Sequence, residues 1–265
     1  MNQRLDPVTR ARLLQDDAQF LGQPIALTGD AGQVIRANTR HIALMMRDGV
    51  APDRASAAAA FVESLLDVTA RQIAAPLACG KGCSHCCTTY VSCTIPEVFR
   101  LAQAIRGSET TKAAVLTAAA RSKAMPQMQR EFDRVVCPIL VDHACSAYAH
   151  RPVVCRSVLS TSLDRCLAIF QQNRSEPFAY PDGAEVARIY SVLMMRAALI
   201  LCGLPHQNIE MTHALEIALA DEHAEARWLA GEPLFASVAI DRGDQTTSDF
   251  SGLAEGLAAA IQPTL

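Results

Sequence analysis

The sequence predicts a mainly helical domain whose centre is an irregular, cysteine-rich, metal-binding insert with short β segments. Alanine is abundant and only 5% of the 265 residues are aromatic, a composition that favours close-packed helices over a β-sandwich. Nine of the ten cysteines fall between Cys79 and Cys166. We expect a single domain over residues 1–265, with a metal-binding core at 79–166 inside it.

The segments before the cysteines are predicted to be helical. Residues 1–50 contain a polar helical start, a turn at about 30–33 and a short helix at about 37–47. Phe61 and Leu65 then recur at helical spacing in an alanine-rich stretch, which predicts a helix from about 54 to 75. It ends before Pro76, so a loop carries the first cysteines.

The segments between the two groups of cysteines alternate extended and helical patterns. Tyr90–Cys93 reads as extended, and Thr94 with Glu97 forms a capping-box pattern that predicts a helix to Ile105. A helical stretch at 111–136 is expected to be interrupted or bent at Pro126. Short extended pieces and turns are predicted to carry the next cysteines, at residues 138–141, 142–144, 146–148 and 150–152.

The chain after Cys166 is predicted to return to helix. One helix covers about 183–201 and stops at Gly203 and Pro205. Another starts from Asn208 as N-cap and ends near 231–233. The tail from residue 246 is expected to be weakly structured or to form one small helix.

Charge and hydropathy give no indication of a nucleic-acid or membrane partner. A formal net charge of -3 gives no reason to expect nucleic acid or an acidic membrane surface. The N-terminus has no apolar signal region, and the longest apolar stretch, at 192–204, is too short to span a bilayer and contains Arg196. We therefore expect a cytoplasmic protein, in which structural disulfides are rare and clustered cysteines indicate metal or redox chemistry.

Eight cysteines are the predicted metal ligands. Thiolates are soft anionic ligands for zinc, copper(I) and iron–sulfur clusters. Cys93 lies on an apolar extended segment and Cys202 in an aliphatic helix, so both are predicted to be inert buried thiols. The remaining ligands are Cys79, Cys83, Cys86, Cys87, Cys137, Cys145, Cys155 and Cys166. They could fill two four-ligand sites, or one site with spare thiols, and the spacing leaves their grouping open.

The spacing favours an iron–sulfur cluster over zinc. Zinc sites commonly use two close cysteine pairs, and here only Cys83 and Cys86 have that knuckle spacing. The later cysteines are spread over longer loops, which suit the wider cage of iron and sulfide. Basic residues near the cysteines could balance the thiolate charge: Lys81, His85, His143, Arg151, Arg156 and Arg165.

Two runs of the sequence resemble a family of CxxCxxCC cysteine-cluster proteins that are described as zinc- or iron-chelating. These runs are CGKGCSHCC…VSCTIPE and CPILVDHACSAYAHRPVVCR. The first gap, from Cys79 to Cys83, is three residues long where that family has two. The resemblance implies metal or iron–sulfur binding, with Arg151 and Arg156 beside the cofactor. The family is related to flagellin lysine-N-methylases, which implies redox or methyl-transfer-related chemistry. The matching residues are Cys83, Cys86, Cys87, Glu97, Cys137, Pro138, Leu140, Cys145, Tyr148, Arg151, Pro152, Cys155 and Arg156.

Two other functions fit parts of the sequence. A non-catalytic protein stabilised by zinc, or a metal carrier, would use the same cysteines. A radical S-adenosylmethionine enzyme would use the spacing of Cys79, Cys83 and Cys86, with the AGEP tetrapeptide at 230–233. That motif should follow a β-strand, whereas here it follows a predicted helix. The sequence leaves open whether the protein is an enzyme.

Overall fold

A computed structural model of the chain describes residues 19–20, 23–24, 29–72, 75–241 and 248–262, and these residues are mainly helical, as predicted. The helices are α1 (Gly29–Asp48), α2 (Arg54–Arg71), α3 (Ile95–Ile105), α4 (Glu109–Lys123), α5 (Gln127–Phe132), α6 (Val153–Ser157), α7 (Leu163–Phe170), α8 (Ala184–Leu201), α9 (Met211–Ala220), α10 (Ala224–Leu229) and α11 (Ser248–Ile261), with a 3₁₀ turn at Tyr148–His150. None of the described helices has both the length and the apolar character needed to cross a membrane.

The strands are two residues long and pair in antiparallel ladders. They are β1 (Gln19–Phe20), β2 (Gln23–Pro24), β3 (Ser92–Cys93), β4 (Leu140–Val141), β5 (Ala144–Cys145) and β6 (Ile209–Glu210). β1 pairs with β2, β3 with β6, and β4 with β5. The β3–β6 ladder matters most for the fold, because it joins the stretch after the first cysteines to the start of α9.

The helix α8 is the centre of one helical layer. It packs against α1, α2 and α11, and the short helix α6 also contacts it. Leu193, Ala197 and Ala198 of α8 are fully buried, as are Ala58 and Ala59 of α2. Small side chains let neighbouring helix axes approach closely, which explains why an alanine-rich chain forms this layer. We call α1, α2, α8 and α11 the helical layer.

The other side of the core is built on α3, α4 and α9. The helix α9 contacts both α3 and α4. The ring of Phe99 in α3 lies 5.6 Å from that of Trp228 and 5.5 Å from that of Phe235, measured between centroids. Trp228 is 1% exposed, so these rings close the core between α3 and α10.

Several predicted boundaries are confirmed. Thr94 and Glu97 form the predicted capping box, and α3 ends at Ile105. Pro126 separates α4 from α5, as its missing N–H requires. The helix α8 matches the prediction of 183–201, and the tail takes its helical alternative, as α11.

Other boundaries differ near the N-terminus. The turn predicted at 30–33 is instead the first turn of α1, because the buried stripe that holds Ile42 and Met46 extends upstream to Ile35. The helix α2 ends at Arg71, earlier than predicted. The predicted polar helical start falls on residues 1–18, outside the described residues.

Further differences lie near the later cysteines and at α9. The piece predicted to be extended at 146–148 leads into a 3₁₀ turn, and α6 begins directly after Pro152. Asn208 does not cap α9. The cap is Glu210, whose carboxylate accepts the N–H groups of Thr212 and His213, while β3 holds β6 in place before the helix.

Candidate metal centre

The two cysteine-containing stretches meet through the backbone. The N–H of Cys137 donates to the carbonyl of Cys87 over 2.7 Å. Directly after Cys137, the β4–β5 hairpin turns the chain back and pairs Leu140 with Cys145. Its turn uses Asp142 and His143 at φ 49° and 61°, the backbone twist that a tight hairpin needs. The hairpin therefore returns Cys145 to the neighbourhood of Cys137.

Cys155 reaches the same region on α6, and a buried carboxylate sets the position of that helix. One oxygen of Glu97 accepts the N–H of Val153 over 2.7 Å. Its other oxygen accepts the N–H of Thr94 over 2.7 Å and the hydroxyl of Thr94 over 2.6 Å. Burial raises the pKa of Glu97, against the hydrogen bonds from Thr94 and Val153. Glu97 thus caps α3 and α6 together, and so links the first cysteine stretch to the second.

Four thiols, Cys86, Cys137, Cys145 and Cys155, lie near one another; we call them the thiol quartet. Burial raises the pKa of Cys155 well above its ordinary value, and negative charge on Cys137, Cys86 and Cys145 raises it further. Burial raises the pKa of Cys137 to about 12, with Cys145 and Cys86 acting in the same direction. Burial also raises the pKa of Cys145, and Cys86 adds to that shift. Every pair in the quartet is therefore close enough to interact electrostatically.

Cys87 stays in contact with the quartet through its neighbour in the chain. A hydrogen bond between the two adjacent thiols is the largest cause of the raised pKa of Cys86, followed by burial. The quartet itself combines one cysteine of the first stretch with three of the second. Sequence separation alone could not show which of the cysteines would become neighbours.

A second group contains Cys79, Cys83 and Cys166, which we call the thiol trio. The sulfur of Cys79 accepts the N–H of Ser160 at 3.2 Å, and its thiol faces the carbonyl of Val158 at 3.7 Å. Burial raises the pKa of Cys79, as does negative charge on Cys166, Cys83 and Cys86. The trio therefore adjoins the quartet on the side of Cys86.

The two predicted cofactor-binding arginines have different surroundings. The guanidinium carbon of Arg151 lies 3.6 Å from the ring centroid of Tyr148. Its positive charge opposes the effects of burial and of the neighbouring thiols, and lowers the pKa values of Cys86, Cys145 and Cys155. Arg151 therefore faces the quartet with the charge that thiolates would require.

Arg156 is directed toward carboxylates of α2. It is 8% exposed and lies 3.1 Å from Glu63 and 2.8 Å from Asp67, and it also donates to the carbonyl of Ala149 over 2.7 Å. Sequence reasoning missed Glu63 and Asp67, although two acids four residues apart on an alanine-rich helix are a recognisable signal. Arg156 thus fastens the helix that carries Cys155 to the helical layer.

The two cysteines predicted to be inert differ in their surroundings. Cys93 is 2% exposed in β3, and burial raises its pKa well above the ordinary value, with smaller contributions from Glu97 and Cys155. Cys202 is partly buried at the contact between α1 and α8, where its thiol donates to the carbonyl of Ala43 over 3.5 Å. Burial raises the pKa of Cys202 to about 11, and the nearby charges belong to α1 and α2. Cys202 therefore provides a matched control for the quartet.

The donor chemistry of the quartet fits an all-sulfur metal centre. Four cysteines are the usual ligand set of structural zinc and of the common iron–sulfur clusters. In the described part of the chain, no three Cys, His, Asp or Glu side chains converge tightly enough to hold a metal ion as they stand. Comparison with protein-family models, curated proteins and solved structures found no match to this chain. The resemblance to the cysteine-cluster family therefore stays a prediction.

Proposed function

We propose that this protein binds an iron–sulfur cluster through the thiol quartet, Cys86, Cys137, Cys145 and Cys155. The observation that carries the proposal is the meeting of these thiols in one partly buried neighbourhood, although they come from stretches 50 residues apart or more along the chain. The quartet is distributed over a turn, a hairpin and a helix, and such separate supports suit the wide cage of a cluster. Zinc is the alternative occupant.

The trio and Cys87 are the ligands that remain for a second centre. Cys79, Cys83 and Cys166 adjoin the quartet at Cys86, so a second site would lie directly beside the first. An arrangement of this kind would let the two centres interact.

The residues around the quartet would hold and balance the cofactor. When bound, an iron–sulfur cluster supplies one-electron redox chemistry or an iron with an open coordination site. Arg151 would offset the negative charge of the thiolates, and Glu97 would keep α6 in register with α3. The resemblance to relatives of flagellin lysine-N-methylases suggests redox or methyl-transfer-related chemistry in the cytoplasm.

A non-catalytic role is the second candidate, and one observation favours it. The quartet joins the hairpin and α6 to the turn that carries Cys86, so a zinc ion held there would act as a structural cross-link. In that case metal would stabilise the fold, and no reaction would depend on it.

Anaerobic purification separates the two candidates. We expect iron and acid-labile sulfide in the purified protein, with visible absorption that bleaches when a reductant is added. Zinc without sulfide would support the structural role, and a protein isolated anaerobically without either metal would contradict both.

Serine variants test the ligand assignment. Cys86→Ser and Cys155→Ser should each lower the metal content, whereas Cys202→Ser should leave it unchanged. If Cys202→Ser lost metal to the same extent, the division of the cysteines would be wrong.

A further inference from the structure

Tyr148 is a partly buried residue of the 3₁₀ turn that precedes α6. The centroid of its ring lies 3.6 Å from the guanidinium carbon of Arg151, and its backbone carbonyl accepts the Nε–H of Arg151 over 3.0 Å. This distance places the guanidinium against the face of the ring, the arrangement that favours cation–π attraction. The hydroxyl of Tyr148 has no hydrogen-bond partner in the described part of the chain. The ring face and the carbonyl of Tyr148 therefore both act on Arg151.

The backbone of Arg151 is also fixed. Pro152 follows it, and a residue before proline is restricted to extended conformations, which agrees with φ -63° and ψ 137° at Arg151. The carbonyl of Arg151 accepts the Nε–H of Arg156 over 3.3 Å, and Arg156 is itself held by the acids of α2. The side chain of Arg151 therefore starts from a fixed point between the β4–β5 hairpin and α6, the elements that carry Cys145 and Cys155.

The positive charge of Arg151 is not neutralised by a carboxylate. Among the residues that the structure describes, no acid lies within ion-pair distance of Arg151, whereas Arg156 lies against two. The charge of Arg151 acts instead on Cys86, Cys145 and Cys155. Four thiolates around a divalent ion leave a net negative charge, so a cation held beside them lowers the free energy of the loaded centre.

We propose that Tyr148 is a positioning residue, which holds the guanidinium of Arg151 beside the thiol quartet and so raises the affinity of the quartet for metal. This role rests on the proposed metal centre, and it applies to zinc and to a cluster alike, because thiolates bind both. An arginine side chain without a fixed position spends part of its time in water, which screens its charge. Stacking on the ring reduces that freedom, so the charge is in place before metal binds.

Titration of the reduced, metal-free full chain with Co²⁺ measures this affinity. Sulfur-bound Co²⁺ absorbs in the near ultraviolet, and competition with a chelator gives the dissociation constant. Arg151→Met should weaken binding about tenfold or more, whereas Arg151→Lys keeps the charge and should stay within about threefold of the unchanged protein. Arg121→Met is the control, because it removes an exposed arginine of α4, and it should have no effect. If the unchanged protein held no sulfur-bound Co²⁺, the metal centre and the role of Tyr148 would both be wrong.

A double-mutant cycle separates positioning from a general structural role. Tyr148→Phe keeps the ring and should bind Co²⁺ within about twofold of the unchanged protein, whereas Tyr148→Leu should weaken binding about fivefold. Because Tyr148 acts through Arg151, Tyr148→Leu should cause no further loss when Arg151→Met is already present. A further fivefold loss in that background, or unchanged Co²⁺ affinity in Tyr148→Leu alone, would overturn the positioning role and leave the metal centre standing.

Discussion

The helical layer and the cysteine loops (residues 79–91 and 137–152) are ordered by different interactions. In the helical layer, Leu193, Ala197 and Ala198 are completely removed from solvent, and apolar burial supplies the stability. In the first cysteine loop, every residue from 79 to 91 keeps some exposure. The first loop is joined to the second by a backbone hydrogen bond from Cys137 to Cys87, and the second loop buries only Ile139 and Ala147 in the core. Apolar burial alone can maintain the layer, whereas we expect the loops to depend on a bound metal.

Two contacts connect these regions. Arg156 joins α6 to Glu63 and Asp67 of the helical layer, and Glu97 joins α6 to α3. Both contacts act on the helix that carries Cys155. The cysteine loops are therefore anchored at one end even where their own packing is weak.

Metal removal should have the largest effect and should act on one region only. Structural zinc sites contribute about 10–16 kcal/mol of apparent binding energy in small domains, and a cluster is expected to order its loops similarly. After chelation, amides of residues 79–91 and 137–152 should lose protection from hydrogen exchange, and amides of α8 should keep it. Equal loss in both regions would show that the helical layer does not stand alone.

A cavity in the helical layer should lower the stability of the fold and leave metal binding unchanged, the opposite of metal removal. Leu193 in α8 is completely buried, so Leu193→Ala should lower the free energy of unfolding by about 2–5 kcal/mol. Metal content per folded molecule should not change. Urea denaturation and metal analysis measure the two quantities, and a loss of metal in the folded protein would mean that the regions are coupled.

Breaking the contacts that Glu97 makes with α3 and α6 should lower the free energy of unfolding by an intermediate amount. Glu97→Ala removes a buried carboxylate that accepts three hydrogen bonds, at an expected cost of about 1–3 kcal/mol. The protection of backbone amides from hydrogen exchange should fall in α3 and α6 together. Glu109→Ala, in the exposed first turn of α4, is the control and should cost less than about 0.5 kcal/mol. If α6 kept its protection in Glu97→Ala, the linking role of Glu97 would be wrong.

The smallest effect is a pH dependence within the helical core. Glu225 is buried and accepts the N–H and the hydroxyl of Ser56; burial raises its pKa, and the nearby Asp53 adds to the shift. A raised folded-state pKa gives stability that is complete below the ordinary value of 4.5 and is lost as pH rises through the folded value. Glu225→Gln should reduce the loss of stability between pH 4 and 7 in urea titrations, and the raised pKa values of Glu63 and Glu97 account for the loss that remains. An unchanged slope would contradict the assignment.

Local patterns predicted the parts of the fold that local interactions decide. The capping box at Thr94 and Glu97 needs only four consecutive residues, and a proline in the middle of a helical pattern, such as Pro126, breaks the helix there. The prediction that Asn208 caps α9 used the same reasoning and is wrong, because the pairing of β6 with β3 moves the start of that helix to Met211. The buried Arg130 beside Glu210 is a further long-range contact that no local pattern contains.

Sequence alone determined the helical class of this protein and the clustering of its thiols along the chain, because both follow from composition and from residues that are neighbours in the chain. Tertiary structure decided which thiols become neighbours, and it directed Arg151 to the thiols and Arg156 to the acids of α2. The physical reason is chain closure. Residues such as Cys86 and Cys155 meet only when the intervening helices have packed and brought their ends together.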